Sequence, residues 1–183
     1  MKKTLAIILL ALGVSTVSMA QDYKPFQLYF GLGFASPGAG GVGVLVDFEP
    51  SYRINDQIAV GFRLESAAMA KEVTVGVDSE ISAVGSYTLN GRYYFGDSNF
   101  RPYVGAGFGL YSLGTVEADI DGGDVEADFG TKFGFYPRIG FDFGHFNMNL
   151  DYNLIPKYDE NGADVKNSYL GIRIGFFLFG GKN

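Results

Sequence analysis

The 183-residue sequence contains 27 glycines, 17 phenylalanines and 12 tyrosines but no cysteine. Acidic residues outnumber basic residues by 20 to 14. This balance argues against a nucleic-acid-binding protein, because phosphate contacts need clustered lysines and arginines. The lack of cysteine excludes disulfides, thiol catalysis and thiolate metal sites.

The N-terminus has the pattern of a secretory signal peptide. Lys2 and Lys3 precede an apolar core over residues 5–14, and a small-residue cleavage site ends at Ala20. The core is too short to cross a bilayer as a helix. We predict a signal peptide over 1–20 and one mature domain over 21–183. Cleavage removes two basic residues and leaves a formal charge of −8.

Most of the mature sequence alternates large apolar residues with small or polar ones, the period of a β-strand. In segment 101–113, Val104 and Phe108 lie on one face, and Tyr103 and Tyr111 lie on the other. No stretch has a sustained helical period, so the chain is predicted to be all-β. In order, the predicted strands are 26–34, 42–52, 58–67, 81–95, 101–113, 131–143, 146–155 and 168–179.

The connections between these segments alternate in length. Four are long, namely 35–41, 68–80, 114–130 and 156–167. Three are short, namely 53–57, 96–100 and 144–145. Outer-membrane barrels have short periplasmic turns and longer extracellular loops. The pattern predicts an eight-stranded antiparallel up-and-down transmembrane β-barrel with both termini on the periplasmic side.

The more polar face of the strands carries glycines and nearly balanced charges. Glycine weakens a solvent-facing strand, but in a narrow barrel it makes room for larger neighbours, and opposite charges in a closed interior can pair. We predict a lumen charge network of Arg63, Glu65, Arg92, Arg138, Asp142, Asp151 and Arg173. The same face is predicted to carry Asp47, Glu49 and Lys132.

An energetic argument fixes which face points inward. An arginine on the lipid face near the midplane costs about 2–4 kcal/mol. Four reversed arginines would cost on the order of 8–16 kcal/mol, which is comparable to the stability of a whole domain. A soluble lipocalin-like carrier, whose apolar face would point inward, is the less favoured alternative.

The signal sequence, the eight segments, the stretch RPYVGAGFGLY and the closing stretch YLGIRIGFFLF together resemble the family of small outer-membrane β-barrel domains. This family includes the membrane domain of OmpA, OmpX and the porin-family barrels of Bacteroidetes. The resemblance implies a place in the outer membrane of a Gram-negative cell envelope. It also implies insertion by the barrel assembly machinery and contact with membrane lipid and lipopolysaccharide.

Residues suited to chemistry are few. His145, the one histidine, falls in a short turn without a serine or aspartate placed to complete a catalytic relay. The acidic stretch TVEADIDGGDVEADFG offers Asp119, Asp121 and Asp124 as a candidate site for weak cation binding, but its spacing does not match an EF-hand. A solvated hairpin tip, or loose cation bridging to lipopolysaccharide, is favoured there. We predict no enzyme activity, cofactor or metal centre.

Two functions remain open at this point. The first is a structural or surface-interaction barrel whose lumen is filled by side chains, as eight strands would leave it. The second is a narrow pore or a conduit for small hydrophobic ligands. A monomer is expected, because a closed barrel has no free sheet edge.

Overall fold

The structure is a computed structural model that describes residues 23–38, 41–70, 81–116, 130–156, 158–160, 163–165 and 167–180. Their strands, in chain order, are β1 (Phe26–Pro37), β2 (Val42–Arg53), β3 (Ile58–Ala70), β4 (Ile81–Tyr94), β5 (Phe100–Val116), β6 (Gly130–Phe143), β7 (Phe146–Asn153), β8 (Tyr158–Glu160), β9 (Ala163–Val165) and β10 (Tyr169–Phe179). In this part of the chain, no helix is long and apolar enough to cross a membrane.

Eight of these strands close into an antiparallel barrel in the order β1-β10-β7-β6-β5-β4-β3-β2. Strands β1 to β6 each pair with the next strand along the chain, and β10 joins β7 to β1. The last pairing closes the sheet and leaves no edge strand in the barrel. The predicted eight-stranded up-and-down barrel is therefore confirmed.

The two faces of the strands differ as the alternation predicts. On β5, Phe108 is 53% exposed on the outer surface, whereas Tyr111 is fully buried in the lumen. Large apolar side chains also cover the outer surface of the other barrel strands, including Leu32 and Ile174. An apolar outer surface around a polar interior is the arrangement for a lipid bilayer, and it excludes the soluble carrier.

Several predicted boundaries were wrong. The predicted loop 156–167 contains the small hairpin β8–β9. Strand β1 continues to Pro37, because residues 35–37 pair with β10, and β3 continues to Ala70. Arg53, predicted to lie in a turn, is the last residue of β2 and continues the inward alternation of Glu49 and Ser51.

The three short turns, over residues 54–57, 95–99 and 144–145, lie at what we call the short-turn end of the barrel. The first described residue, Tyr23, lies there too, since its hydroxyl donates to the Ser98 carbonyl oxygen at 3.0 Å. The opposite end is the long-loop end. By the asymmetry of outer-membrane barrels, we expect the short-turn end to face the periplasm. The predicted signal peptide and most of the acidic connection lie outside the described residues.

Candidate functional site

The lumen is the candidate site, and three groups of buried side chains fill it. The charge network consists of Asp47, Glu49, Arg63, Glu65, Arg92, Arg138, Asp151 and Arg173. The mouth cluster, at the short-turn end, consists of Tyr23, Arg53, Tyr94, Arg101 and Asp142. The apolar cap, at the long-loop end, consists of Ala35, Leu45, Ala67, Met69, Val84, Tyr111, Ile155 and Tyr169.

Asp151 on β7 is the central acceptor of the charge network. Its Oδ2 lies 2.7 Å from Nη1 of Arg63 and 3.7 Å from Nε of Arg138, and it also accepts a short hydrogen bond from Nη1 of Arg173. Its Oδ1 accepts from Nδ2 of Asn153 at 2.7 Å. Three guanidinium groups therefore depend on one carboxylate, and removal of its charge would leave them underneutralised.

Glu65 on β3 is the second shared acceptor. It accepts short hydrogen bonds from Nη2 of Arg173 and from the hydroxyl of Tyr169, and its Oε2 lies 3.4 Å from Nη1 of Arg63. Arg173 also lies 3.8 Å from Asp47. Tyr169 belongs to the apolar cap as well. Its ring packs among apolar groups, while its hydroxyl reaches Glu65 in the charge network.

Glu49 on β2 organises the remaining part of the network. Its Oε2 accepts from Nη1 of Arg138 at 2.8 Å, and its Oε1 lies 3.2 Å from Nη2 of Arg92. The same Arg92 nitrogen donates to Oγ of Ser51 at 2.7 Å. Paired and hydrogen-bonded in this way, the buried charges meet the conditions under which a low-polarity interior can hold them.

Two of these contacts join opposite walls of the barrel. Strands β3 and β7 are four places apart in the ring of eight, as are β2 and β6. Arg63 on β3 reaches Asp151 on β7, and Arg138 on β6 reaches Glu49 on β2. The side chains therefore extend across the full width of the lumen.

Aromatic rings pack against the charge network on the inner wall. The guanidinium carbon of Arg63 lies 3.8 Å from the ring centroid of Tyr136, and that of Arg138 lies 5.1 Å from it. Gly107 on the neighbouring strand makes room for this ring, since a Cβ at that position would approach Cε1 of Tyr136 to 2.6 Å. The inward glycine is thus explained by the close approach of a large neighbour.

The mouth cluster holds its cations differently. Arg101 lies 3.8 Å from the ring centroid of Tyr23 and 4.4 Å from that of Tyr94, and it donates a short hydrogen bond to the Asp56 carbonyl oxygen. Arg53 lies 4.5 Å from the Tyr94 ring and 3.6 Å from the Asp142 carboxylate. Cation–π contacts of this kind stabilise a buried guanidinium without a second negative charge.

Seven residues were predicted from the sequence as lumen charges, and the structure places all seven side chains inside the barrel. Six of them, Arg63, Glu65, Arg92, Arg138, Asp151 and Arg173, belong to the charge network. The seventh, Asp142, lies closer to the short-turn end, in the mouth cluster beside Arg53. The candidate cation site at Asp119, Asp121 and Asp124 lies outside the described residues.

Two buried arginines and one tyrosine were missed. Arg53 was assigned to a turn and Arg101 to a strand end, although both keep the inward alternation, with Ser51 and Tyr103 respectively. That alternation could have been used to predict that both arginines point into the lumen. The position of Tyr23 over the mouth had no signal, because it depends on contacts between residues 74 and 75 positions apart.

His145 acts as a structural residue of its turn. Its Nδ1 lies 2.9 Å from the Phe177 carbonyl oxygen and therefore donates to it, while the Phe177 amide donates to the His145 carbonyl at 2.7 Å. These bonds attach the turn to β10. Over the described ranges, no three His, Asp or Glu side chains are grouped so that they could hold a metal ion.

Comparison with known proteins agrees with this architecture. Neisserial surface protein A matches with a TM-score of 0.63 and 22% identity, over 88% of this chain and 99% of that one. The N-terminal barrel of Pseudomonas aeruginosa OprF matches with a TM-score of 0.47 and 16% identity, over 86% and 98% of the two chains. Outer membrane protein W of E. coli matches at 0.39 and 17%, over 90% and 100%.

The first of these likenesses supports the barrel fold. No curated protein matches the chain significantly in sequence. The sequence profile described as "Outer membrane protein beta-barrel domain" matches residues 6–176, which is most of the chain. With the closed barrel and its apolar outer surface, this match shows that the chain is an outer-membrane protein and belongs to the outer membrane protein beta-barrel domain family.

Proposed function

We propose that the protein is a non-conducting, non-catalytic barrel that stabilises the outer membrane and carries its long connections on the outer side for surface interaction. The observation that supports a closed lumen is the pair of contacts between opposite walls. Arg63 meets Asp151 at 2.7 Å and Arg138 meets Glu49 at 2.8 Å. Both pairs occupy the space that a permeating ion would need.

The energetics of these pairs favour a filled lumen over a selective pore. A buried ion pair is strongly destabilised when one partner is left without the other. A permeating ion would have to displace a partner of Arg63, Arg138 or Arg173, each of which contacts at least two carboxylates. Charges held this firmly stabilise the barrel and do not serve as mobile ligands for transported ions.

The groups at the two ends of the lumen support the same proposal. At the long-loop end, the side chains of the apolar cap are at most 4% exposed, and an apolar constriction opposes the entry of hydrated ions. At the short-turn end, Tyr23 is also 4% exposed and covers Arg101. The charge network therefore lies between a dry layer and a covered mouth.

The outward role of the long connections is part of the proposal. They leave the barrel at the end opposite the short turns, which is the outer side of the membrane. The protein that gave the likeness at a TM-score of 0.63 is described as a surface protein. Contact with lipopolysaccharide, insertion by the barrel assembly machinery and the monomeric state stay predictions.

The lumen proposal is tested by single-channel recording. We expect the full-length protein, refolded and inserted into planar bilayers, to give no reproducible conductance steps. A matched variant, Glu49→Ala with Arg138→Ala, keeps the net charge but removes one contact between opposite walls, and it should conduct more than the wild type. Insertion is checked by the difference in gel migration between unheated and boiled samples. Large, reproducible steps from the wild type would replace the proposal with the narrow pore.

A further inference from the structure

The buried charges of the lumen balance in the charge network but not in the mouth cluster. The network contains four arginines and four carboxylates. The mouth cluster contains Arg53 and Arg101 with one buried carboxylate, that of Asp142. Among the fully buried groups that the structure describes, arginines therefore outnumber carboxylates by one at the short-turn end, where the carboxyl group of Asp56 is half-buried.

The mouth also holds buried hydrogen-bond donors without a partner. Four buried donor atoms have no hydrogen-bond partner among the described residues: Nε and Nη1 of Arg101, Nε of Arg53 and Nε2 of Gln27. The buried acceptors nearby that lack one include Oε1 of Gln27 and Oδ2 of Asp142. A buried donor without a partner is costly, and most of all on a charged group. Because three of these four donors belong to guanidinium groups, they favour an acceptor that carries negative charge.

These residues surround one small cavity. Gln27, Arg53, Arg101 and Asp142 line a space of about 10 Å³, together with Tyr23, Asn99 and Gly144. Such a volume accommodates a single particle the size of a water molecule. A phosphate or carboxylate group has several heavy atoms and would need Tyr23 to move away, so the cavity selects a monatomic ion over an oxyanion.

We propose that the mouth cluster binds one halide ion, chloride in the cell, between the guanidinium groups of Arg53 and Arg101. The ion would offset the positive charge of the two fully buried arginines and accept from their donors that have no partner. Gln27 would donate from its Nε2, and Tyr23 would cover the ion on the periplasmic side. This inference is independent of whether the lumen conducts, because the site lies at the short-turn end and includes no residue of the charge network.

Bromide is the probe for the first test, since it replaces chloride and scatters anomalously. Crystals of the full-length protein grown in bromide should show one anomalous peak beside Arg53 and Arg101, within hydrogen-bond distance of a guanidinium nitrogen. Finding no peak at the mouth, with bromide only at surface lysines, would overturn the proposal. This test needs no variant and does not depend on the folding of one.

The second test measures affinity in solution. In detergent micelles, the linewidth of the ³⁵Cl resonance should rise saturably with protein concentration and fall when bromide is added. Arg101→Gln should weaken this binding at least tenfold. Lys24→Gln, which removes the same charge from an exposed side chain of the same end, should change it less than twofold. Each variant is first checked for heat-dependent gel migration.

Three results of the second test would count against the site. Equal losses in the two variants would mean that chloride responds to diffuse charge. Unchanged binding in Arg101→Gln would place the ion elsewhere. Displacement of chloride by phosphate as effectively as by bromide would contradict a cavity that selects monatomic ions.

Discussion

The charge network and the mouth cluster both bury arginines inside one barrel, but they compensate the charge by different means. In the charge network, Asp151, Glu65 and Glu49 each contact at least two arginines. In the mouth cluster, aromatic rings and a backbone carbonyl provide most of the contacts to Arg101. The charges of the first group are compensated mainly by opposite charges, and that of Arg101 in the second mainly by aromatic rings and a backbone dipole.

The two groups also differ in which part of the chain completes them. Every member of the charge network lies on a barrel strand, and the contacts between opposite walls, Arg63 with Asp151 and Arg138 with Glu49, form only when the barrel closes. The mouth cluster includes Tyr23, which precedes β1, and the carbonyl of Asp56 in a turn. We infer that the network fixes closure of the barrel, whereas the mouth depends on segments outside its wall.

The largest effect is expected from Asp151→Asn, which removes the central negative charge and keeps the side-chain size. Three arginines would lose a shared partner, at a cost of about 3–5 kcal/mol in the free energy of unfolding. Urea unfolding in lipid vesicles, followed by gel migration of unheated samples, measures this loss.

Asp142→Asn is the matched comparison in the mouth cluster. Among the described residues, Asp142 forms an ion pair with Arg53, at 3.6 Å, and no other. The amide oxygen of an asparagine at this position could still accept the hydrogen bond from Asn147. We expect roughly half the loss of Asp151→Asn or less. Equal losses in the two variants would mean that the contrast between the two groups has no energetic basis.

The fold and the membership of the lumen face could be read from the sequence because both depend on period-two alternation, which is local. The contact partners of the lumen side chains could not be read from the sequence. Arg63 and Asp151 are 88 positions apart, and their contact depends on strand order, stagger and the width of the closed barrel together. The contact between Asp142 and Arg53 could not be predicted for the same reason, since the two residues are far apart in the sequence. It also requires β2 to include Arg53, which was assigned to a turn.

A smaller effect is expected from Gly107→Ala, which tests the packing behind the charge network. The added Cβ would collide with the Tyr136 ring, which is fully buried and stacks on Arg63 at 3.8 Å. Overpacking of this kind costs about 1–3 kcal/mol. Gly91→Ala is the control, since a Cβ at this outward position meets nothing within 4 Å, and it should change stability by less than about 0.5 kcal/mol. If both variants unfold like the wild type, the ring is not confined.

The smallest effect is expected from Tyr23→Ala, which removes the ring that covers the mouth cluster. Its stacking on Arg101 at 3.8 Å and on Arg53 at 4.8 Å should contribute about 1–2 kcal/mol. Tyr23→Phe keeps the ring and loses only the hydroxyl bonds to the carbonyls of Asp97 and Ser98, so it should retain most of that stability. The urea midpoints of the two variants give the comparison. A loss in Tyr23→Ala as large as that in Asp151→Asn would mean that the N-terminal segment is as necessary to the barrel as the charges between its walls.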